Sequence, residues 1–209
     1  MATKTNNRIN LDVEEAPEKV TPVKPIIVPK YDIRTTEVTI VGDAPLICHA
    51  WSEKAKKMML DKQMGVPNEG KEPKNPEKDF EDSLYHLPGG GYGFPSVAFK
   101  SAAVTACTSM GKSITKVAAR QAFHIVGDMV RIDGTPTPRE DMVRIGMGTA
   151  DIRYRGEFRT WSCKLMIRYN ARVLTVEQIV NLLNVAGFAV GVGEWRPEKD
   201  GMFGLFHVR

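Results

Sequence analysis

Trp161-Ser162-Cys163-Lys164-Leu165-Met166-Ile167-Arg168-Tyr169 alternates apolar with polar or charged residues, with a period of two. Successive side chains of an extended chain point to opposite faces of a sheet. Trp161, Cys163, Leu165, Ile167 and Tyr169 therefore share a core face, and Ser162, Lys164, Met166 and Arg168 share the other. The period then changes. Thr175 and Gln178 form a capping box, and Val176, Ile179, Val180, Leu183 and Ala186 recur at helical spacing to about Ala189. A half-buried strand followed by an amphipathic helix is the unit from which the rest is read.

Working outward, residues 150–158 set Ile152 and Tyr154 against Arg153 and Arg155, again with a period of two, and the apolar pair is expected to face inward. Residues 123–132 and 142–146 read as short strands, as does the β-branched run 33–41. Ser52 is placed to cap a helix ending near Met64. Ser96 is expected to cap another, carrying Phe99, Ala102, Ala103, Ala106, Cys107 and Met110 on one stripe and stopped by Gly111. A short helix follows at 113–121, and a last strand at Met202–Val208. Helices and hairpins mixed in this order predict an α+β fold with a largely antiparallel sheet. Residues 65–85, with Pro67, Pro73 and Pro76, form a charged inserted loop region. A short acidic helix is expected near 77–84.

The chain has 209 residues, 42% of them hydrophobic, enough for one core plus a tail. Residues 1–30 combine charge with Pro17, Pro22, Pro25 and Pro29, and are expected to be a disordered or extended N-terminal arm ahead of a domain at 31–209. No apolar run approaches the roughly 20 residues of a membrane span, and Met1–Asn10 has no apolar signal region. The expectation is a cytoplasmic protein with no membrane partner. Cys48, Cys107 and Cys163 are far apart and odd in number, so neither a disulfide framework nor a zinc spacing is visible. The four histidines lack a ligand spacing, and no metal or cofactor is expected.

Two segments carry the function reading. In Gly191-Val192-Gly193-Glu194-Trp195-Arg196-Pro197-Glu198-Lys199-Asp200-Gly201-Met202-Phe203-Gly204-Leu205-Phe206, the glycines Gly191, Gly193, Gly201 and Gly204 let the backbone bend and approach another chain closely. Trp195 offers a stacking face, and Arg196 and Lys199 offer positive charge. The bland alternative is a hairpin with Trp195 in the core. In Phe94-Pro95-Ser96-Val97-Ala98-Phe99-Lys100-Ser101-Ala102-Ala103, a turn feeds a helix start near Ser96 and Lys100 whose free N–H groups favour an anion; the alternative is a plain capped helix.

Taken together, a Pro-Ser-x-x-Phe-Lys-x-Ala helix start and a terminal Gly-x-Gly-x-x-Arg-Pro-x-x-x-Gly-x-Phe-Gly-x-Phe loop resemble the RAMP superfamily, which includes backbone subunits of CRISPR effector complexes. Val97 and Ala98 stand where that family commonly has small residues. The resemblance implies a ferredoxin-like, RRM-related fold with helices on one face. It also implies RNA gripped by the first helix and the terminal loop. A stand-alone, phage-encoded relative fits the short chain. In some RAMP nucleases an acidic residue after the first strand cuts RNA, and Asp43 lies in about that place, with His49 close by in sequence.

Net charge is only +4, so distribution matters more than total. Arg139, Arg144, Arg153, Arg155, Arg159, Lys164, Arg168 and Arg172 crowd into the strand region, interleaved with Tyr154, Trp161 and Tyr169. On alternate positions they form either one positive face for phosphates or a solvated strand face. The leading reading is a non-catalytic binder of single-stranded RNA or DNA, assembling as a homo-oligomer or filament along the strand. The nucleic-acid-binding residues are then Ser96, Lys100, Arg153, Arg155, Lys164, Arg168, Trp195, Arg196 and Lys199. A structural or assembly protein, for instance of a phage particle, and a metal-independent ribonuclease using Asp43 or His49 are the alternatives.

Overall fold

The computed structural model describes residues 27–67, 73–111, 113–146 and 148–209. The chain divides into two units, Met1–Lys30 and Tyr31–Arg209. Most of the expected arm lies outside the described residues; residues 27–30 have no regular secondary structure.

Ten strands and five α-helices make up the described part of the second unit. They run β1 (Ile33–Gly42), β2 (Leu46–Cys48), α1 (Glu53–Gln63), α2 (Pro76–Asp82), β3 (Tyr85–His86), β4 (Tyr92–Pro95), α3 (Ser96–Ala106), α4 (Lys116–Ala122), β5 (Phe123–Ile125), β6 (Met129–Asp133), β7 (Pro136–Ile145), β8 (Thr149–Phe158), β9 (Ser162–Asn170), α5 (Val176–Ala189) and β10 (Phe206–Val208). The main sheet has the order β10-β1-β9-β6-β4-β3, with β5 also pairing on β9. All its pairings are antiparallel. Followed through β1, α3, β5–β6, β9, α5 and β10, the chain traces the β-α-β-β-α-β path of a ferredoxin-like fold. The α+β, ferredoxin-like expectation is the fold found. β2, β8 and β7 form a second, three-stranded sheet.

Local sequence explains the helices. Ser52, Asn75 and Thr115 accept backbone N–H bonds at the starts of α1, α2 and α4, and the Thr175/Gln178 capping box opens α5. Ser96 is a correction. It is the first residue of α3, not its cap, and makes no capping bond. Its hydroxyl donates to the Gly127 carbonyl and its N–H to the Asp128 carbonyl, so it fastens the start of α3 to the turn between β5 and β6.

Strand β9 alternates as expected: Cys163, Leu165, Ile167 and Tyr169 are buried, and Lys164, Met166 and Arg168 are exposed. The buried side meets Phe99, Ala102, Ala103 and Ala106 of α3 and Ile179, Leu183 and Ala186 of α5. Val176 and Val180 lie off the fully buried stripe of α5, which Leu182 joins instead. Phe99, Trp161 and Phe206 form an edge-on aromatic cluster, with the Trp161 indole N–H donating 2.9 Å to Ala44 O. Burial pushes the Cys48 and Cys163 thiols up to about 12, as suits small core residues.

Strand β8 reverses its expected facing. Ile152 is exposed, whereas Arg155 is only 6% exposed. The cause is the second sheet, which is covered on both sides. Leu84 lies over Gly156, whose N–H donates 2.7 Å to Ser83 Oγ. On the other side, Arg155 meets Asp141 and Glu194. Residues 73–85 of the charged insertion are thus built into the fold through Ser83 and Leu84.

Gly187 of α5 is closely packed against the last strand: a Cβ there would lie 1.8 Å from the Phe206 carbonyl oxygen. A helix interior ordinarily gains up to about 1 kcal/mol from Gly→Ala. Here Gly187→Ala should instead destabilise by about 2 kcal/mol or more, read as a lowered thermal midpoint; a midpoint at or above that of the parent protein would contradict this packing.

Candidate nucleic-acid interface

The terminal loop folds on itself. Val192 N–H donates to Gly204 O (3.0 Å), Gly204 N–H to Pro45 O (2.8 Å), Glu194 N–H to Ile47 O (3.1 Å) and Phe203 N–H to Trp195 O (3.0 Å). A Cβ at Gly201 would fall 1.7 Å from Trp195 O, and one at Gly204 1.7 Å from Val192 O. Gly191 and Gly193 adopt φ of 69° and 81°, a region open to glycine. Their neighbours are Pro197 and the Ile47 carbonyl. The close approach expected toward another chain is therefore used within this chain. It also shortens the last strand, since residues 202–205 serve the loop and β10 starts only at Phe206.

The loop leaves one aromatic outside. Trp195 is 42% exposed and has φ of 54°. A positive φ is unusual for a bulky residue and is held here by the bonds around it. Arg196 next to it is committed within the loop: its guanidinium pairs with Glu198 (2.7 and 3.0 Å) and donates to Gly193 O (3.1 Å). Lys199 is exposed at the end of a short 3₁₀ turn.

The arginine-rich region is largely neutralised from within. Arg139 pairs with Asp141 (2.8 Å) and Glu157 (2.9 Å), Arg153 with Asp151 (2.9 Å), and Arg155 with Asp141 (3.2 Å). Arg159 sits 3.4 Å from Glu157, and Lys164 3.0 Å from Glu37 of β1. Arg155 is no surface cation: it is buried, and its Nε finds no partner among the described residues. Most of these carboxylates stand two residues from an arginine on the same strand, so period-two parity already puts both signs on one face. That signal is in the sequence; Glu37, 127 positions from Lys164, is not visible locally.

Lys100 and Arg168 form no ion pair among the described residues. Arg168 lies on the outer face of the main sheet, where no helix packs among the described residues. Lys164, Met166, Met129 and Arg131 are exposed on that same face. Lys100, from α3, donates 2.8 Å to Nδ1 of His124 on β5, a residue not singled out in the sequence.

Where α3 meets the terminal loop there is a cavity of about 240 Å³, lined in part by Ala98, Ser101, Gly191, Glu194 and Arg196. It joins the two motif segments. His49 lies 3.4 Å from Glu194. The Glu194 carboxyl is held below its ordinary range, chiefly by the hydrogen bond to His49 and further by Arg155 and Arg196. Asp43 accepts a 2.7 Å hydrogen bond from His207 Nδ1, and both are half-exposed. His49 and Asp43 thus have different partners.

No family model and no curated protein matches the chain. Among solved structures it is similar to a chain of the Type III-B Cmr-beta bound to cognate target RNA, with a TM-score of 0.54 and 10% identity, covering 85% of this chain and 59% of that one. It is also similar to Cmr6 from Pyrococcus furiosus, with a TM-score of 0.46, 9% identity, and 85% and 98% of the two chains covered. The likeness to the Cmr-beta chain is one of fold, and it agrees with the ferredoxin-like fold expected from the motif resemblance. This chain spans only 59% of that Cmr-beta chain.

The exposure of Trp195 does not fit the reading that puts its ring in the core. Trp195→Ala should lower stability by less than about 1 kcal/mol, unlike the roughly 3–5 kcal/mol of a core tryptophan. Trp195→Gly should recover about 1 kcal/mol relative to the alanine variant by relieving the positive φ. Thermal melts of the two variants check this; a core-sized loss in both would place the ring inside.

Proposed function

We propose that the chain binds single-stranded nucleic acid, RNA or DNA, without cutting it, and that copies assemble side by side along the strand. The observation that carries this reading is the outer face of the main sheet, on which no helix packs among the described residues. There Arg168 forms no ion pair among the described residues, Lys164 and Arg131 are exposed though near Glu37 and Asp133, and Met129 and Met166 supply apolar surface beside them. A flat face of this kind admits unstacked bases while its cations meet phosphates. The exposed Trp195 adds a stacking surface. The fold shared with a chain of the Type III-B Cmr-beta bound to target RNA supports the same class of ligand. Arg153, Arg155 and Arg196 contribute little to this surface, because their charges are met by Asp151, Asp141 and Glu198. Ser96 acts through the position of α3, since its hydroxyl is already bonded.

A second reading, metal-independent ribonuclease, is favoured only by the Asp43–His207 hydrogen bond. An adjacent carboxylate and imidazole are the groups a proton transfer from a 2′-hydroxyl needs. Cleavage of labelled RNA in excess chelator, abolished by Asp43→Asn, would establish it; intact RNA leaves the non-catalytic reading standing.

The main reading predicts an ordered series. Affinity for a labelled single-stranded oligonucleotide, measured by fluorescence anisotropy, should fall steeply with salt. Arg168→Ala should flatten the log–log slope by about 0.7–1. Lys164→Ala should flatten it less, because Glu37 already meets that ammonium, and Arg153→Ala should leave it nearly unchanged. Affinity indifferent to salt would overturn the proposal.

A further inference from the structure

Two cations and an imidazole from separate elements converge at the edge of β5. Lys100 of α3 is half-buried and donates to His124 Nδ1 (2.8 Å), with its ammonium 6.0 Å from the Phe123 ring centroid. His124 is register-paired with Arg168 of β9. Directly opposed residues of an antiparallel pair share a face, so the imidazole stands between the ammonium and the guanidinium. Arg168 faces Thr35, an uncharged residue, on β1. α4, also packed on β5, carries Lys116 and Arg120. The acid nearest to His124 in sequence is Asp128 of the β5–β6 turn, whose backbone carbonyl accepts from Ser96 N–H. Ser96 anchors α3 to the β5–β6 turn, which sets Lys100 at this edge. Among the described residues no carboxylate lies within ion-pair distance of Lys100 or Arg168, and an anion relieves the repulsion between these like charges.

We infer that Lys100, His124 and Arg168 form one phosphodiester subsite, and that binding of the phosphate is coupled to uptake of a proton by His124. The inference rests on the nucleic-acid reading above and adds its regulation by pH. In the free protein the imidazole holds its proton less readily than usual, first through burial and then through Lys100 and Arg168. Burial also lowers the Lys100 ammonium. A phosphate between these groups reverses the balance at His124. A bound state that holds more protons than the free state binds more tightly as pH falls.

The test is single-stranded oligonucleotide affinity at constant ionic strength, at about pH 8 and about pH 5.5, for the parent protein, His124→Gln and His86→Gln. The parent should tighten by about fivefold or more between the two pH values. His124→Gln should lose most of the pH dependence. His86→Gln, on the far edge strand β3 with its ring against Glu81, should behave as the parent. Histidine NMR should show the His124 ring titrating at higher pH when the oligonucleotide is bound, and thermal melts check that both variants fold. Binding whose pH profile survives His124→Gln would overturn the subsite alone. Absence of binding at low salt at either pH would overturn the nucleic-acid reading with it.

Discussion

Everything in the main sheet hangs on the antiparallel pairing of β1 with β9, in register from Ile33 opposite Asn170 to Val41 opposite Ser162. A slip of one residue would exchange the faces of β9. Cys163, Leu165 and Ile167 would then leave the helices, and Lys164 and Arg168 would enter the core. The register also sets the electrostatics. It brings Glu37 of β1 close to Lys164 and leaves Arg168 opposite Thr35, so one cation is answered and the next is not. β9 carries β5 and β6 on its other edge, and the bond from Ser96 to the turn between them fixes where α3 begins. Core, helix placement and outer charge pattern therefore share one constraint.

Charge on this protein is best described by which carboxylate answers which cation. A crowd of arginines in the strand region looks like a phosphate-binding face when counted. Paired residue by residue, Arg139, Arg153, Arg155 and Arg159 are met by Asp141, Asp151 and Glu157. The more exposed of these pairs, Arg153 with Asp151, contributes little to stability, but all of them change what an approaching anion meets. The buried Arg155 joins β8 to Asp141 of β7 and Glu194 of the terminal loop. Removing one partner of such a buried set leaves a charge unanswered, so these residues are fitted to hold the second sheet and the loop together. The cations left for a ligand are fewer and lie on the main sheet and at the edge of α3.

The terminal loop shows the same division between pattern and use. Gly191, Gly193, Gly201 and Gly204 mark a backbone that must bend and be approached closely, and that much follows from glycine itself. What approaches is the chain's own backbone at Val192, Trp195 and Ile47. The compact loop then presents Trp195 outward at a positive φ, and one side of a cavity shared with α3.

Sequence alone determined the strand β9 and its two faces, the capping box of α5, the glycine-rich loop and the α+β order, because period and capping are local properties readable within a few residues. The motif resemblance extended this to the ferredoxin-like path. Only the tertiary structure decided the facing of β8, since the pattern of Ile152 to Arg155 does not say that a second sheet will be covered on both sides. It likewise decided that Ser96 fastens α3 to the β5–β6 turn, and that His124 stands between Lys100 and Arg168. Those outcomes depend on contacts between residues far apart in sequence, 24 positions for Lys100 and His124 and 73 for Ser83 and Gly156. A local pattern sets which way a side chain points from its own strand, but only the assembled sheets set what it meets there.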